Sequence, residues 1–319
     1  MIELEPAAFR IAAPLFASLA PHHLSVVAVL AGDAEGRVLV DNAPAPGVAL
    51  LHGPEGSYLA GRAGAGTLEV VRDAIEDWAY LHIAPDWGGR LDDVLPNPFM
   101  LNHPRASFLI DTAPFTELAV LPAGFAYEAD GSFGCRVLHQ GEEVSRCLPD
   151  MVSGERSEIG VWTHPDFRRR GLAFAAARAA LAGARRAGIS SVGWHCHGSN
   201  RGSIRLAEQL GGVWGPGLTA RSASLPAENG ADLERDEWFR IARHFERASG
   251  SIGWMAFHAA GAWAQAGEHE NALLAVELLV EGGWQGDPDW LAGNWALAAI
   301  AGDPRFQRCL TRLREAARE

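Results

Sequence analysis

The chain has 319 residues, 48% of them hydrophobic and 21% charged, with a formal net charge of -12. That suits two or three globular domains with sizeable cores, and the acidic balance excludes nucleic acid wrapping as the main task. All 27 basic residues are arginine, from Arg10 to Arg318, so Schiff-base lysines, P-loop lysines and lysine general bases are excluded.

The N-terminal apolar stretch is broken by Pro14, Pro21, His22 and His23. No apolar run nears the roughly 18 residues of a membrane span, so a cytoplasmic chain without a leader or membrane partner is expected. Residues 24–30, 36–40, 48–52 and 57–60 read as short strands separated by Gly, Pro and Asp turns. Thr67 is a suitable N-cap for a helix reaching residue 81. Residues 87–104, rich in Pro, Asn and Gly, read as a long loop, and 106–110 as a buried strand.

A second run of strands is predicted at 125–128, 135–139, 143–148 and 157–162. A strong helix follows over 171–187, then a strand at 191–196, a helix at 199–210 and a strand at 218–225. Residues 226–232 are polar and suit a linker. Beyond them the pattern is helical throughout, over 234–247, 252–266, 270–281, 290–299 and 304–317. Three domains are expected from this order: 1–124, 125–228 and 229–319.

Charge is uneven along these segments. Residues 1–124 carry fifteen acids against six arginines and residues 231–319 fourteen against nine, whereas residues 125–230 carry twelve arginines against ten acids. A mildly basic centre between acidic flanks suits an anionic cofactor beside a cationic substrate. The four cysteines, Cys135, Cys147, Cys196 and Cys309, form no CxxC pair, so neither a zinc ribbon nor a disulfide framework is indicated and no metal is expected.

The chemistry concentrates between Glu158 and Ala173, EIGVWTHPDFRRRGLA. A strand, a short turn, three arginines, a glycine and a helix start point backbone N–H groups and the helix dipole at one spot, which suits a pyrophosphate. Gly171 and Ala173 keep that approach free of side chains. There is no Walker lysine and no GxGxxG.

This stretch resembles the GNAT acyltransferase superfamily, whose Gln/Arg-x-x-Gly-x-Gly/Ala signature stands here as Arg168-Arg169-Arg170-Gly171-Leu172-Ala173. The segment from Asn200 to Gly211, NRGSIRLAEQLG, is similar to the family's Asn-led helix ending in Leu-Gly. Together with 141–145, 158–163 and Trp194-His195-Cys196, the pattern resembles the subgroup that includes zwittermicin-resistance acetyltransferases. The resemblance covers 125–225 well and the first 124 residues loosely.

It implies an α/β fold with a mixed, mostly antiparallel sheet whose central strands splay to admit the pantetheine arm of acetyl-CoA. Ile159, Val161 and Thr163 would offer backbone hydrogen bonds to pantetheine, and the amides of Arg168, Arg169, Arg170, Gly171, Leu172 and Ala173 would hold the pyrophosphate. Asn200 would contact the cofactor near its thiol. Glu158 is the first candidate for the base that deprotonates an amine, set against a capping or pairing carboxylate. His195 and His197 follow, with pKa values near the working pH, set against packing roles. Where many members carry a Tyr as acid for the departing thiolate, this chain has Ala207, and Ser203 or a water would substitute.

Two further readings concern the flanks. Residues 61–66, Gly-Arg-Ala-Gly-Ala-Gly, echo the signature between a strand and a helix, so the N-terminal part reads as a degenerate GNAT-like repeat, one form of a tandem arrangement. Its acids, among them Asp86, Asp92 and Asp93, suit a cationic amine. Residues 254–284 resemble a tetratricopeptide helix pair, expected to pack on the core, to form a homodimer or to meet a protein partner. The expectation is an acetyl-CoA-dependent N-acetyltransferase acting on a small-molecule primary amine; the alternative is a non-catalytic acyl-CoA-binding sensor or adaptor.

Overall fold

In the computed structural model, which describes residues 1–62 and 64–318, the chain opens with β1 (Ile2–Glu3), a 3-10 segment (Pro6–Phe16) and helix α1 (Leu24–Ala31). Residues 24–30 are thus helix where a strand was expected. Their unbroken apolar run carries no period that separates a buried strand from a buried helix, and α1 is apolar all round because it packs on both the 3-10 segment and the sheet.

Strands β2 (Arg37–Val40), β3 (Val48–Gly53) and β4 (Gly56–Gly61) form the expected meander, with Pro54 and Glu55 at the tip of its second hairpin. Helix α2 (Leu68–Ala74) ends well before residue 81, since Ile75 takes extended backbone. Leu81 is instead buried in β5 (Leu81–Ile83), which runs parallel to β4. The expected loop at 87–104 contains α3 (Leu91–Val94) and the start of β6 (Leu101–Asp111). In the glycine-rich echo at 61–66, Ala63 lies outside the described residues.

The second half follows its predicted order: β7 (Phe125–Asp130), β8 (Gly134–His139), β9 (Glu142–Ser153), β10 (Arg156–Thr163), α4 (Leu172–Arg186), β11 (Ser191–His197), α5 (Arg201–Gln209), β12 (Val213–Trp214) and β13 (Leu218–Ser222). Among the described residues the strands make one mixed sheet, ordered β1-β2-β3-β4-β5-β13-β6-β11-β10-β9-β8-β7, with β12 beside β6. The two halves of the chain therefore share a single sheet.

Helix α4 covers the second half of this sheet. Its alanine-rich sequence favours helix, and the small side chains let it lie close, so that a Cβ on Gly183 would sit 2.9 Å from the Phe133 carbonyl. Leu172, Ala176, Ala180 and Leu181 pack there against Ile110, Val137, Cys147, Val192 and Trp194. A separate core under the first meander joins Phe9, Phe16, Val26 and Val29 to Val38, Leu51 and Tyr58.

By compactness, residues 1–96 and 103–221 form one unit, and residues 97–102 with the chain from Ser222 form another. The second contains α6 (Arg235–Ser249), α7 (Ala256–Gln265), α8 (His269–Glu281), α9 (Pro288–Ala292) and α10 (Pro304–Ala316). A capping box of Glu234 and Glu237 starts α6, and Arg305 on α10 forks onto Glu277 and Glu270 of α8. Among the described residues no helix is long and apolar enough to cross a membrane.

Candidate active site

Strands β10 and β11 run parallel and pair only over Arg156, Ser157 and Glu158, against Ser191, Val192 and Gly193. Beyond that point they part. From Trp194 to His197, β11 stays paired with β6, while from Ile159 to Thr163, β10 stays paired with β9. The register with β9 shifts between Glu158 and Ile159, where Asp150 of β9 is the extra residue of a bulge, a feature that bends a strand and raises its twist. Ile159 and Val161 send their side chains into the α4 core, and the edge of β10 not paired with β9 borders the gap.

At the far end of β10 the chain enters a 3-10 turn (Pro165–Phe167) and reaches α4 through 168–171. Arg168 Nε donates to the Thr163 carbonyl at 3.3 Å, and Arg170 donates to the Asp166 carbonyl at 3.1 Å while lying over the Phe167 ring. Arg169 and Gly171 both adopt left-handed backbone, with φ of 61° and 78°. Gly171 occupies the N-cap without a side-chain cap, so the first amides of α4 and its dipole are left for an anion.

Glu158, 5% exposed, lies where the strands part. Gly193 makes room for it across the strand pair, since a Cβ there would stand 2.9 Å from Glu158 Cγ. Its Oε1 accepts the backbone N–H of Leu24 at 3.0 Å, at the N-terminus of α1. The ligating atoms of Glu55, Glu158 and His195 all lie within 4.8 Å of one another. Burial and the facing Glu158 push Glu55 up to about 8. At neutral pH Glu55 thus keeps its proton, with the α1 amide bonded to Oε1 of the facing Glu158.

The surrounding imidazoles are neutral. Burial brings His195 down to about 4, His82 to about 3 and His23 to about 2. His197 also falls to about 4, so neither β11 histidine has the near-neutral pKa expected from sequence. The His23 and His82 rings lie 4.3 Å apart, and His23 meets His195 edge to face at 5.8 Å. Asp150, raised to about 6 by burial, lies against Gly160, and with Arg105 it helps to line a cavity of about 260 Å³ onto which these groups face. Glu158, Gly193 and His195 also line a second cavity of about 620 Å³, bounded by Leu109 and Trp214.

The structure thus brings together Glu158, His195 and the backbone of β10. Other candidates stand apart. Trp194, which alternates with His195 along β11, is buried under α4 and donates its indole N–H to Ser203 Oγ at 2.9 Å. Ser203 therefore sits on the sheet face opposite His195. Asn200 caps α5, its Oδ1 accepting the Ser203 amide at 2.9 Å. Ala207 is fully buried. Sequence reasoning missed Glu55, Arg105, Asp150, His23 and His82, which belong to no local motif. The one available signal was an acid held in a tight hairpin turn.

Comparison with known proteins agrees with this geometry. Residues 125–212 match the family model described as GNAT acetyltransferase. The chain is 35% identical over 83 residues to the uncharacterized N-acetyltransferase YdfB of Bacillus subtilis, a match that covers 26% of this chain and 31% of that relative. Among solved structures it is similar to a GCN5-related N-acetyltransferase-like protein of Streptococcus suis (TM-score 0.53, 21% identity, 68% of this chain and 98% of that one). It is also similar to a GCN5-related N-acetyltransferase of Sphaerobacter thermophilus (TM-score 0.51, 13% identity, 71% and 98%). Residues 125–212 are thus of the GNAT acetyltransferase type, and the sheet that carries them has the fold of solved members of that family.

Proposed function

We propose that the chain is an N-acetyltransferase that moves an acetyl group from acetyl-CoA to a primary amine on a small molecule in the cytoplasm. The observation that carries this reading is the gap between β10 and β11, with an uncapped helix N-terminus at one end and the Glu55–Glu158 carboxyl pair at the other. The residues present fit the cofactor. Left-handed Gly171 has nothing within 4 Å of where a Cβ would stand, and the amides of 172 and 173 follow it at the head of a fifteen-residue helix. They would hold the pyrophosphate with help from Arg168–Arg170, and the backbone of Ile159, Val161 and Thr163 would hold the pantetheine.

Bound acetyl-CoA supplies an activated acyl thioester. Glu158 takes the ammonium proton of the acceptor, a step for which a buried carboxylate beside a protonated neighbour is well matched. The pair then holds two protons. It would return one to the departing thiolate, in the role that many family members give to the Tyr replaced here by Ala207. The second proton lost by the nitrogen would pass to the pair and on to solvent. His195, neutral and beside the pair, orients the amine lone pair by hydrogen bonding. The acidic first half of the chain draws a cation toward this end.

The missing Tyr also favours a second reading, a sensor that binds acyl-CoA without turnover. A thiol-release screen with acetyl-CoA and a panel of primary amines separates the two. Amine-dependent release that Glu158→Gln abolishes is expected; tight acetyl-CoA binding with no release against any amine would establish the sensor.

A further inference from the structure

Glu158, Gly193 and His195 stand between two cavities of different character. The inner one, about 260 Å³, is lined by Glu55, Asp150 and Arg105. The outer one, about 620 Å³, is bordered by Leu109, Val213, Trp214 and Pro216. Strand register explains this outer wall. Val213 on β12 pairs with Leu109 on β6, Leu109 with Gly193 on β11, and Gly193 with Glu158 on β10. Residues in register on neighbouring strands share a face, so these four make one row across the sheet. Exposure falls along it from 70% at Val213 and 49% at Leu109 to 5% at Glu158. Gly193 has no side chain to stand between Leu109 and Glu158, and the Glu158 side chain leans over it.

An exposed leucine on an interior strand, with an exposed valine beside it, leaves apolar surface in water that a ligand would cover. We infer that the acceptor is a primary amine on an elongated apolar body, whose ammonium meets Glu158 and whose body lies along the row over Gly193, Leu109 and Val213. The inner cavity suits such a body poorly. Filling it with hydrocarbon would take water from Glu55, Asp150 and Arg105 and offer no hydrogen bond in return. The outer volume lies inside the roughly 300–1,000 Å³ of sites that take drug-sized molecules. Asp111 and Arg156 also line it, but they belong to the next row, in register with Ser191. There Asp111 Oδ1 accepts the Ala113 amide at 2.9 Å and Arg156 donates to the Pro21 carbonyl at 3.2 Å, so neither interrupts the apolar path.

Each methylene is worth about fourfold in affinity when fully buried, and about twofold where the groove leaves half of it exposed. Three strand spacings of about 4.8 Å set Val213 about 14 Å from Glu158 along the row, so the gain should stop at about eight to ten carbons. Turnover of such an amine rests on the acetyltransferase reading and its binding does not, so both are measured. The panel comprises the straight-chain primary amines from ethylamine to dodecylamine, each below its micelle-forming concentration, and the terminal diamines of the same lengths. Each is tested by thiol release with acetyl-CoA and by calorimetry with the protein saturated in CoA, for wild type, Val213→Asp and Leu109→Ser. Acetyl-CoA affinity serves as the control for folding.

From ethylamine to octylamine kcat/KM should rise about 50-fold or more, through KM, and then level off. The diamine of octyl length should lose most of that gain, because its second ammonium would lie on Leu109 and Val213. Val213→Asp and Leu109→Ser should each cut the octylamine-to-ethylamine ratio at least about fivefold, with acetyl-CoA affinity kept. Length-dependent binding that these variants weaken, without acetyl transfer, would support the apolar acceptor and overturn the acetyltransferase reading. Turnover that is flat or falls with length, or whose length dependence both variants leave unchanged, would overturn the apolar acceptor and leave that reading standing. No binding and no turnover with any panel member would overturn both.

Discussion

Replacing Glu55 by Gln preserves the shape of the side chain and removes its titration. In the wild type the Glu55 carboxyl rises from its ordinary 4.5 to about 8, through burial and the facing Glu158. A raised carboxyl binds its proton more tightly in the folded state, so stability falls as pH climbs through the window from about 4.5 to about 8. Each pH unit across that window removes about 1.4 kcal/mol. Full ionisation therefore costs the fold about 5 kcal/mol by pH 9. E55Q escapes this loss. Urea unfolding of both proteins from pH 5 to pH 9 should give similar midpoints at the acid end, then a growing advantage for E55Q that reaches about 1–2 M urea. Asp150, near 6, and His195, near 4, both feel the Glu55 charge, so their titrations shift with it and the difference reads Glu55 together with these neighbours. Parallel midpoint curves across the whole range would refute the raised Glu55 carboxyl.

Other substitutions test separate parts of the site. Gly171→Glu forces a side chain into left-handed backbone, at about 1–2 kcal/mol, and sets a negative charge at the α4 N-terminus, so acetyl-CoA affinity measured by calorimetry should fall at least about 10-fold. Glu158→Gln should lower kcat by about 10²–10⁴ while the acetyl-CoA Kd stays within about twofold. Ser203→Ala leaves the Trp194 N–H without its acceptor, and should cost about 1–3 kcal/mol in chemical denaturation. Its kcat should fall by less than about threefold, whereas loss of a catalytic acid would cost about 10² or more. Arg305→Gln should lower the melting temperature of the helical unit, most at low salt, because it releases Glu270 and Glu277 together.

The loop proposed to hold the cofactor was legible as a structural motif because it is made by contiguous backbone. A strand, a turn, a left-handed glycine and a helix start occupy sixteen consecutive residues from Glu158 to Ala173, and each leaves a local signature. The acid–base side was only half legible. Glu158 announces itself by its position in the motif, but Glu55 reaches it from the β3–β4 hairpin, and Arg105 and His82 arrive on β6 and β5. Pairing across one continuous sheet brings them together, and no local spacing encodes that pairing.

Burial explains the other differences. The β11 histidines looked poised for proton transfer, yet the depth at which the sheet places His195 and His197 holds both neutral. Alternation along β11 separated Ser203 from His195, a consequence visible only once Trp194 was known to face α4. Residues 24–30 became helix because α1 is enclosed on several sides, and its N-terminal amide then donates to Glu158.

The most direct test of the account is to incubate the protein with acetyl-CoA and the amine panel and to follow amide product by mass spectrometry alongside thiol release. The account predicts acetylated amine formed in step with free thiol, slowed at least about 100-fold by Glu158→Gln. Saturable acetyl-CoA binding with no acetylated amine from any panel member would contradict it.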